Sequence, residues 1–160
     1  MENEFGDFYP KDWIPPERQK FCPLHTHHEL KYDLRKKCRL VSGGNMLDAS
    51  GHNNSSSMVN NSSVKLSLLI ATANNLKVEG GNVQIAHLNA KCREKSWTIT
   101  GLEFGDKVGM KTLIKKASCG LKTSGRKFLE LLADMLSKMG FTPTRHDKNV
   151  WIKPRKGGCD

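Results

Sequence analysis

SGRKFLELLADMLSKMGFTP, residues 124–143, carries the plainest structural signal in the chain. Phe128, Leu131, Leu132, Met135, Leu136 and Met139 recur at i, i+3, i+4, i+7, i+8 and i+11, the stripe of a helix that buries one face. Ser124 stands near its start, Gly140 just past its end and Pro143 beyond, so both ends are punctuated as well. Downstream, Val150-Trp151-Ile152 reads as a short strand. Upstream lie two more strand candidates, Trp97-Thr98-Ile99 and residues 110–116, joined by a glycine-containing loop. Before them, residues 82–88 alternate Val83 and Ile85 with Asn82, Gln84 and Ala86 and predict another strand opened by Gly80-Gly81. Residues 64–76, VKLSLLIATANNL, place Leu66, Leu69, Ile70 and Ala73 at core spacing and predict a helix capped by Ser62 or Ser63 and ending near Asn74-Asn75. Further back, residues 31–41, KYDLRKKCRLV, alternate so that Leu34, Lys36, Cys38 and Leu40 share one face while Arg35, Lys37 and Arg39 share the other, a strand with a cationic face. Strands and helices mixed in this order predict an α+β fold, a small antiparallel sheet packed by two main helices.

The remaining segments are punctuation. Residues 1–20 contain Pro10, Pro15 and Pro16 with no periodicity and read as an irregular leader. Gly43-Gly44 ends the cationic strand, the Asn- and Ser-rich residues 45–63 read as a polar loop, and residues 154–160 as a tail. The body of the fold is thus expected over residues 21–153.

Charge and cysteine usage narrow the function classes. The 160 residues carry a formal net charge of +10. Residues 1–80 hold 10 Lys and Arg against 9 Asp and Glu, whereas residues 81–160 hold 16 against 7. A cationic half fits a polyanionic partner, nucleic acid foremost, against the plainer reading of a solvated basic surface. Lys107, Lys111, Lys115 and Lys116 are assigned to such a solvated face. The five cysteines, Cys22, Cys38, Cys92, Cys119 and Cys159, have no CxxC spacing and read as reduced thiols rather than a disulfide frame or a zinc ribbon. Cys22, His25, His27 and His28 are nonetheless dense enough in potential ligands to keep a zinc reading as a minor alternative. No apolar stretch approaches the length that spans a bilayer, and the acidic start Met1-Glu2-Asn3-Glu4 lacks the features of a secretory signal, so an intracellular protein without a membrane partner is expected. The Asn-x-Ser triplets starting at Asn53, Asn54, Asn60 and Asn61 are then only part of a polar loop.

Five segments, in order, resemble the reverse transcriptase of copia-type retrotransposon polyproteins. Residues 37–44, KCRLVSGG, are similar to that family's KARLVAxG, and residues 64–76 to its first palm-associated helix. Residues 82–90, NVQIAHLNA, resemble DVxxAFLNG; residues 120–126, GLKTSGR, resemble YGLKQSxR; and Met139-Gly140-Phe141 with Asp147 to Trp151 resemble MGFxxxxxDxxVW. The resemblance implies polymerase fingers and part of a palm, RNA or an RNA–DNA duplex as partner, and magnesium as the family's cofactor. It implies that Lys37 and Arg39 face template and triphosphate, that Lys122 and Arg126 belong to the same cationic set, and that Thr123 lies close to the nucleotide pocket.

The departures from the family decide the expected activity. Two-metal phosphoryl transfer needs anionic oxygen ligands for hard cations. At the first of those aspartate positions stands Asn82, a neutral amide, and the later YVDD hairpin has no counterpart before Asp160. His87 replaces the aromatic residue that screens the sugar, and Ser118-Cys119 replace Leu-Tyr before Gly120. The chain is therefore expected to bind no cofactor and to lack polymerase activity alone. The rival readings are a basic nucleic-acid-binding module without polymerase ancestry, and a half-enzyme whose partner chain supplies the missing aspartates for RNA-directed DNA polymerase activity.

Overall fold

A computed structural model describes residues 5–47 and 55–154. The triplets at Asn53 and Asn54, most of the predicted 154–160 tail and Cys159 lie outside the described residues. The chain divides into two compact units, Met1–Ser55 with Ile85–Phe128, and Ser56–Gln84 with Leu129–Asp160.

Strands predominate in the first unit. β1 (Gly6–Tyr9), β2 (Lys20–Phe21), β5 (Ser96–Ile99) and β6 (Lys111–Ile114) form a four-stranded sheet in the order β1-β6-β5-β2. β1 runs antiparallel to β6, β5 antiparallel to β6, and β2 parallel to β5. β3 (Leu24–Leu30) and β4 (Lys36–Ser42) make a separate antiparallel ribbon. Two of the strands expected from sequence are present as β5 and β6, where Thr98, Ile99, Thr112 and Ile114 suit a pleated surface through their β-branched side chains. The segment read as an irregular leader instead contributes β1, because Gly6 to Tyr9 finds a partner edge in β6, which local periodicity does not reveal.

The core of this unit is small and partly polar. Phe5, Cys22, Leu47, Ile114 and Leu121 are buried together, with Leu24, Leu40, Leu88, Cys92 and Phe104 packed on them. Thr98 and Thr112, facing each other across β5 and β6, are fully buried. The Thr112 hydroxyl finds no hydrogen-bond partner among the described residues. A buried hydroxyl without a partner is costly, and valine has the same shape without it. Thr112→Val is expected to raise stability by about 1 kcal/mol, read as a higher urea midpoint at unchanged slope; a lower midpoint would mean that the hydroxyl is satisfied.

In the second unit, α1 (Asn61–Ala73) is capped by Asn60, whose side chain accepts the Ser62 N–H at 3.0 Å. The cap thus precedes the predicted Ser62 or Ser63. The Asp147 carboxylate accepts the Asn60 N–H at 2.9 Å and the Asn149 N–H at 2.9 Å, tying the helix start to the loop before β8 (Trp151–Ile152). These donors hold the Asp147 carboxyl below its ordinary range. None of the α1 residues is buried, and the Leu66, Leu69 and Ile70 stripe expected at core spacing is at least half exposed. α2 (Ser124–Lys138) starts in the first unit and continues in the second. It ends as its sequence predicts: Phe141 N–H donates to Leu136 O and Gly140 N–H to Ser137 O, with Gly140 at φ 86°. That is a Schellman cap, which needs the left-handed residue glycine supplies. Leu131, Leu132 and Leu136 are half-buried, while Met135 and Met139 stay exposed. β7 (Thr142–Pro143) pairs antiparallel with β8. The α+β class expected from sequence is the class observed.

Candidate nucleic-acid interface

The β3–β4 ribbon sets out the cations. Its register pairs Glu29 with Lys37, His27 with Arg39 and His25 with Val41, so these six side chains share one face. The Arg39 guanidinium lies 3.7 Å from the Glu29 carboxylate. Leu34 and Arg35, expected to extend the strand, sit in the turn instead: Leu34 adopts φ 62°, and the Asp33 carboxylate accepts the Arg35 Nε–H at 2.7 Å and its N–H at 3.2 Å. A local Asx-type turn therefore wins over the alternating pattern. Those two donations, side chain first, hold the Asp33 carboxyl below its ordinary range.

Two further segments close a cavity against β4. Along the edge of β4 runs Ser118–Gly120: the Ser42 N–H donates to Cys119 O at 2.7 Å, Val41 bridges Cys119 in parallel register, and the Ser42 and Ser118 hydroxyls bond to each other. The Ser124 hydroxyl, opening α2, donates to Ser118 O at 2.7 Å and fixes that segment from behind. The third wall is the 3₁₀ turn Ala86–Asn89, entered through Ile85 at φ 52°. The predicted strand over residues 82–88 is thus not formed: a left-handed Ile85 breaks the extended run, and Val83 and Ile85, the apolar residues of the expected alternation, are more than half exposed. The cavity, about 360 Å³, is lined by Lys37 to Leu40, Ile85 to Leu88, and Ser118-Cys119.

Lys37, Arg39 and His87 are thereby brought together, although some fifty residues separate the first two from the third. The His87 ring stands edge-on to Phe128 at 6.3 Å, and its Nδ1 is buried without a hydrogen-bond partner among the described residues. Lys122, Thr123 and Arg126 do not line the cavity. The Lys122 ammonium donates to Leu47 O at 2.7 Å. Buried Thr123 donates its N–H and hydroxyl to the two Glu94 carboxylate oxygens at 2.9 and 2.7 Å. Arg126 is exposed in the first turn of α2. Asn82 is exposed and outside any strand, in the second unit.

Glu94 was not legible as a site residue, since its partner lies 29 positions away. Burial works to raise the Glu94 carboxyl, but the two Thr123 donors, its own backbone N–H and the Cys92 thiol outweigh it and leave the group below its ordinary range. Burial, the Glu94 charge and the hydrogen bond to that carboxylate push the Cys92 thiol up to about 12. Ser118 and Cys119, the residues before Gly120, are both in the cavity wall.

The other candidates are dispersed. His25 and His27 share one face of the ribbon, His28 faces the other way, and Cys22 is fully buried. Among the described residues no group of three or more His, Cys, Asp or Glu side chains is placed to hold a metal ion. Lys107 lies over the Phe8 ring at 4.2 Å, Lys111 donates to Trp13 O at 2.6 Å, and Lys115 pairs with Asp7 at 2.6 Å, so three of the lysines read as a solvated face are engaged within the fold. Among the described residues no helix is long and apolar enough to cross a membrane. The chain matches no family model, no curated protein and no solved structure.

Proposed function

We propose that this chain is a reverse transcriptase-like fragment of copia-type retrotransposon origin, fingers and part of a palm, that is catalytically inactive and binds RNA or an RNA–DNA duplex. What supports this reading is the meeting of Lys37, Arg39 and His87 around one cavity. Each comes from a segment that resembles a motif of that family, and the segments converge on one place. Arg39 offers a planar fork suited to phosphate oxygens, and Lys37 a compact ammonium. Leu40, Ile85 and Leu88 give the cavity apolar walls, and its volume lies in the range that takes one small ligand group. Phosphates would lie along the cations of β4 and an unstacked base against the apolar wall. Inactivity rests on Asn82, whose amide brings no charge to a divalent ion.

The test is the salt dependence of binding, followed by anisotropy of a labelled single-stranded RNA and of a labelled RNA–DNA duplex. Affinity is expected to fall steeply with salt. Lys37→Ala with Arg39→Ala is expected to make the slope on single-stranded RNA shallower by about 1.4, since each lost phosphate contact removes about 0.7. Slopes identical to those of the parent chain would put the contacts elsewhere and remove the support for this site.

A further inference from the structure

Two of the residues lining the cavity are cysteines. Cys38 comes from β4 and Cys119 from the segment hydrogen-bonded along its edge, and both are exposed. The other two described cysteines are different: Cys22 is fully buried, and Cys92 is half-buried with its thiol held by Glu94. The described thiols thus fall into an accessible pair opening on one cavity and a shielded pair at the core. Lys37 and Arg39 flank Cys38 along β4 and line the same cavity, their side chains on the ribbon face opposite to that of Cys38, with Glu29 the carboxylate that faces them from β3. Val41, three residues beyond Cys38, is the bridge partner of Cys119. Three residues of strand span about 10 Å, too far for the two cysteines to join each other directly but within the reach of separate adducts in one cavity.

We infer that Cys38 and Cys119 form a modification site selective for anionic disulfides, of the glutathione disulfide type, and that an adduct there fills the cavity. The chemistry is thiol–disulfide exchange. A cysteine thiolate, its proton given to solvent, attacks one sulfur of the incoming disulfide; a new S–S bond forms, the old one breaks, and the other half departs as a thiolate with the bonding pair. The cysteine is oxidised, the disulfide is its oxidant and one half of it is reduced. The carboxylates of such a reagent are drawn to Lys37 and Arg39, which raises its concentration at the two sulfurs and makes the rate sensitive to ionic strength. In its effect on nucleic acid the inference rests on the function proposed above; in its chemistry it does not.

The experiment uses the full chain with two disulfide probes of opposite charge, glutathione disulfide and cystamine, and maps the adducts by peptide mass in a Cys159→Ser background. Adducts are expected on Cys38 and Cys119 and not on Cys22 or Cys92 in the folded protein. The anionic probe is expected to react several-fold faster than the cationic one, and Lys37→Ala with Arg39→Ala to abolish that preference while leaving both cysteines reactive. Adducts on Cys22 or Cys92, no adduct on either cavity cysteine, or equal rates with both probes would each overturn the inference. RNA binding is measured on the reduced and the modified protein. Weaker binding after modification, restored by a dithiol reductant, is the expected result, and unchanged binding would overturn the claim that the adduct fills the nucleic-acid site. Failure of the reduced protein to bind RNA would overturn the proposed function while the adduct map still decided the chemistry.

Discussion

Gly120→Ala is expected to cost the first unit about 3 kcal/mol or more. Gly120 holds φ 92°, where an L side chain pays about 1–2 kcal/mol in strain. A Cβ there would also run into the carbonyl oxygen of Ser42, and a Cβ on Gly44 would meet the carbonyl of Gly120 itself, so the two backbones touch with no room for a methyl group. The cost cannot be relieved by a rotamer, because the obstructing atoms are backbone fixed by the Ser42 N–H to Cys119 O bond. Gly105→Ala is the control: Gly105 also has positive φ, 56°, but nothing lies within 4 Å of where its Cβ would stand, so only the conformational part of the cost remains. Urea titrations followed by far-ultraviolet circular dichroism should show a much lower midpoint for Gly120→Ala than for Gly105→Ala. Equal losses would mean that β4 and residues 118–120 are not held in contact, and the cavity would lose one of its walls.

That contact also marks the boundary of what the sequence discloses. α2 was legible from end to end, because its periodic stripe, its glycine stop and its Schellman cap are all local devices. The ribbon strand β4 was legible in type but not in extent, since Asp33 captures Arg35 in a turn that alternation alone would carry through. α1 was legible as a helix, yet its apolar spacing misled about burial: periodicity reports which residues share a face, not whether anything covers that face. β1 and β2 have few residues each and owe their form to partners far along the chain. At the site, the sequence pointed to Lys37, Arg39, His87, Lys122, Thr123 and Arg126 alike; the fold places the first three on one cavity, whereas Lys122 and Thr123 bond to Leu47 and Glu94, contacts that only the folded chain creates.

The Glu94–Thr123 contact sets the second large effect, and it is a function of pH. The Glu94 carboxyl is held below its ordinary value of 4.5, so the folded state binds its proton less readily than the unfolded chain. The stabilisation it gives is therefore fully present above about pH 4.5 and is lost as pH falls through the lower, folded value. Glu94→Ala at pH 7 removes the acceptor of two donors on a residue only 2% exposed, at the start of α2, where a negative charge also complements the helix dipole. Hydrogen bonds to a charged group are worth about 1.5–3 kcal/mol and a stranded buried donor costs about 1–3 kcal/mol, and the partial exposure of Glu94 brings the expected loss to about 1–2 kcal/mol. Glu94→Gln keeps an acceptor oxygen but no charge, so it should lose less at pH 7 and show a flatter decline of stability on acidification. Asp33 and Asp147, also held low, titrate in both proteins, so the difference between the two curves isolates Glu94. If the parent and Glu94→Gln curves stay parallel below pH 4.5, the Glu94 charge does not contribute to holding Thr123, and the anchoring of α2 beneath the Ser118-Cys119 wall rests on uncharged contacts such as that of Ser124 with Ser118.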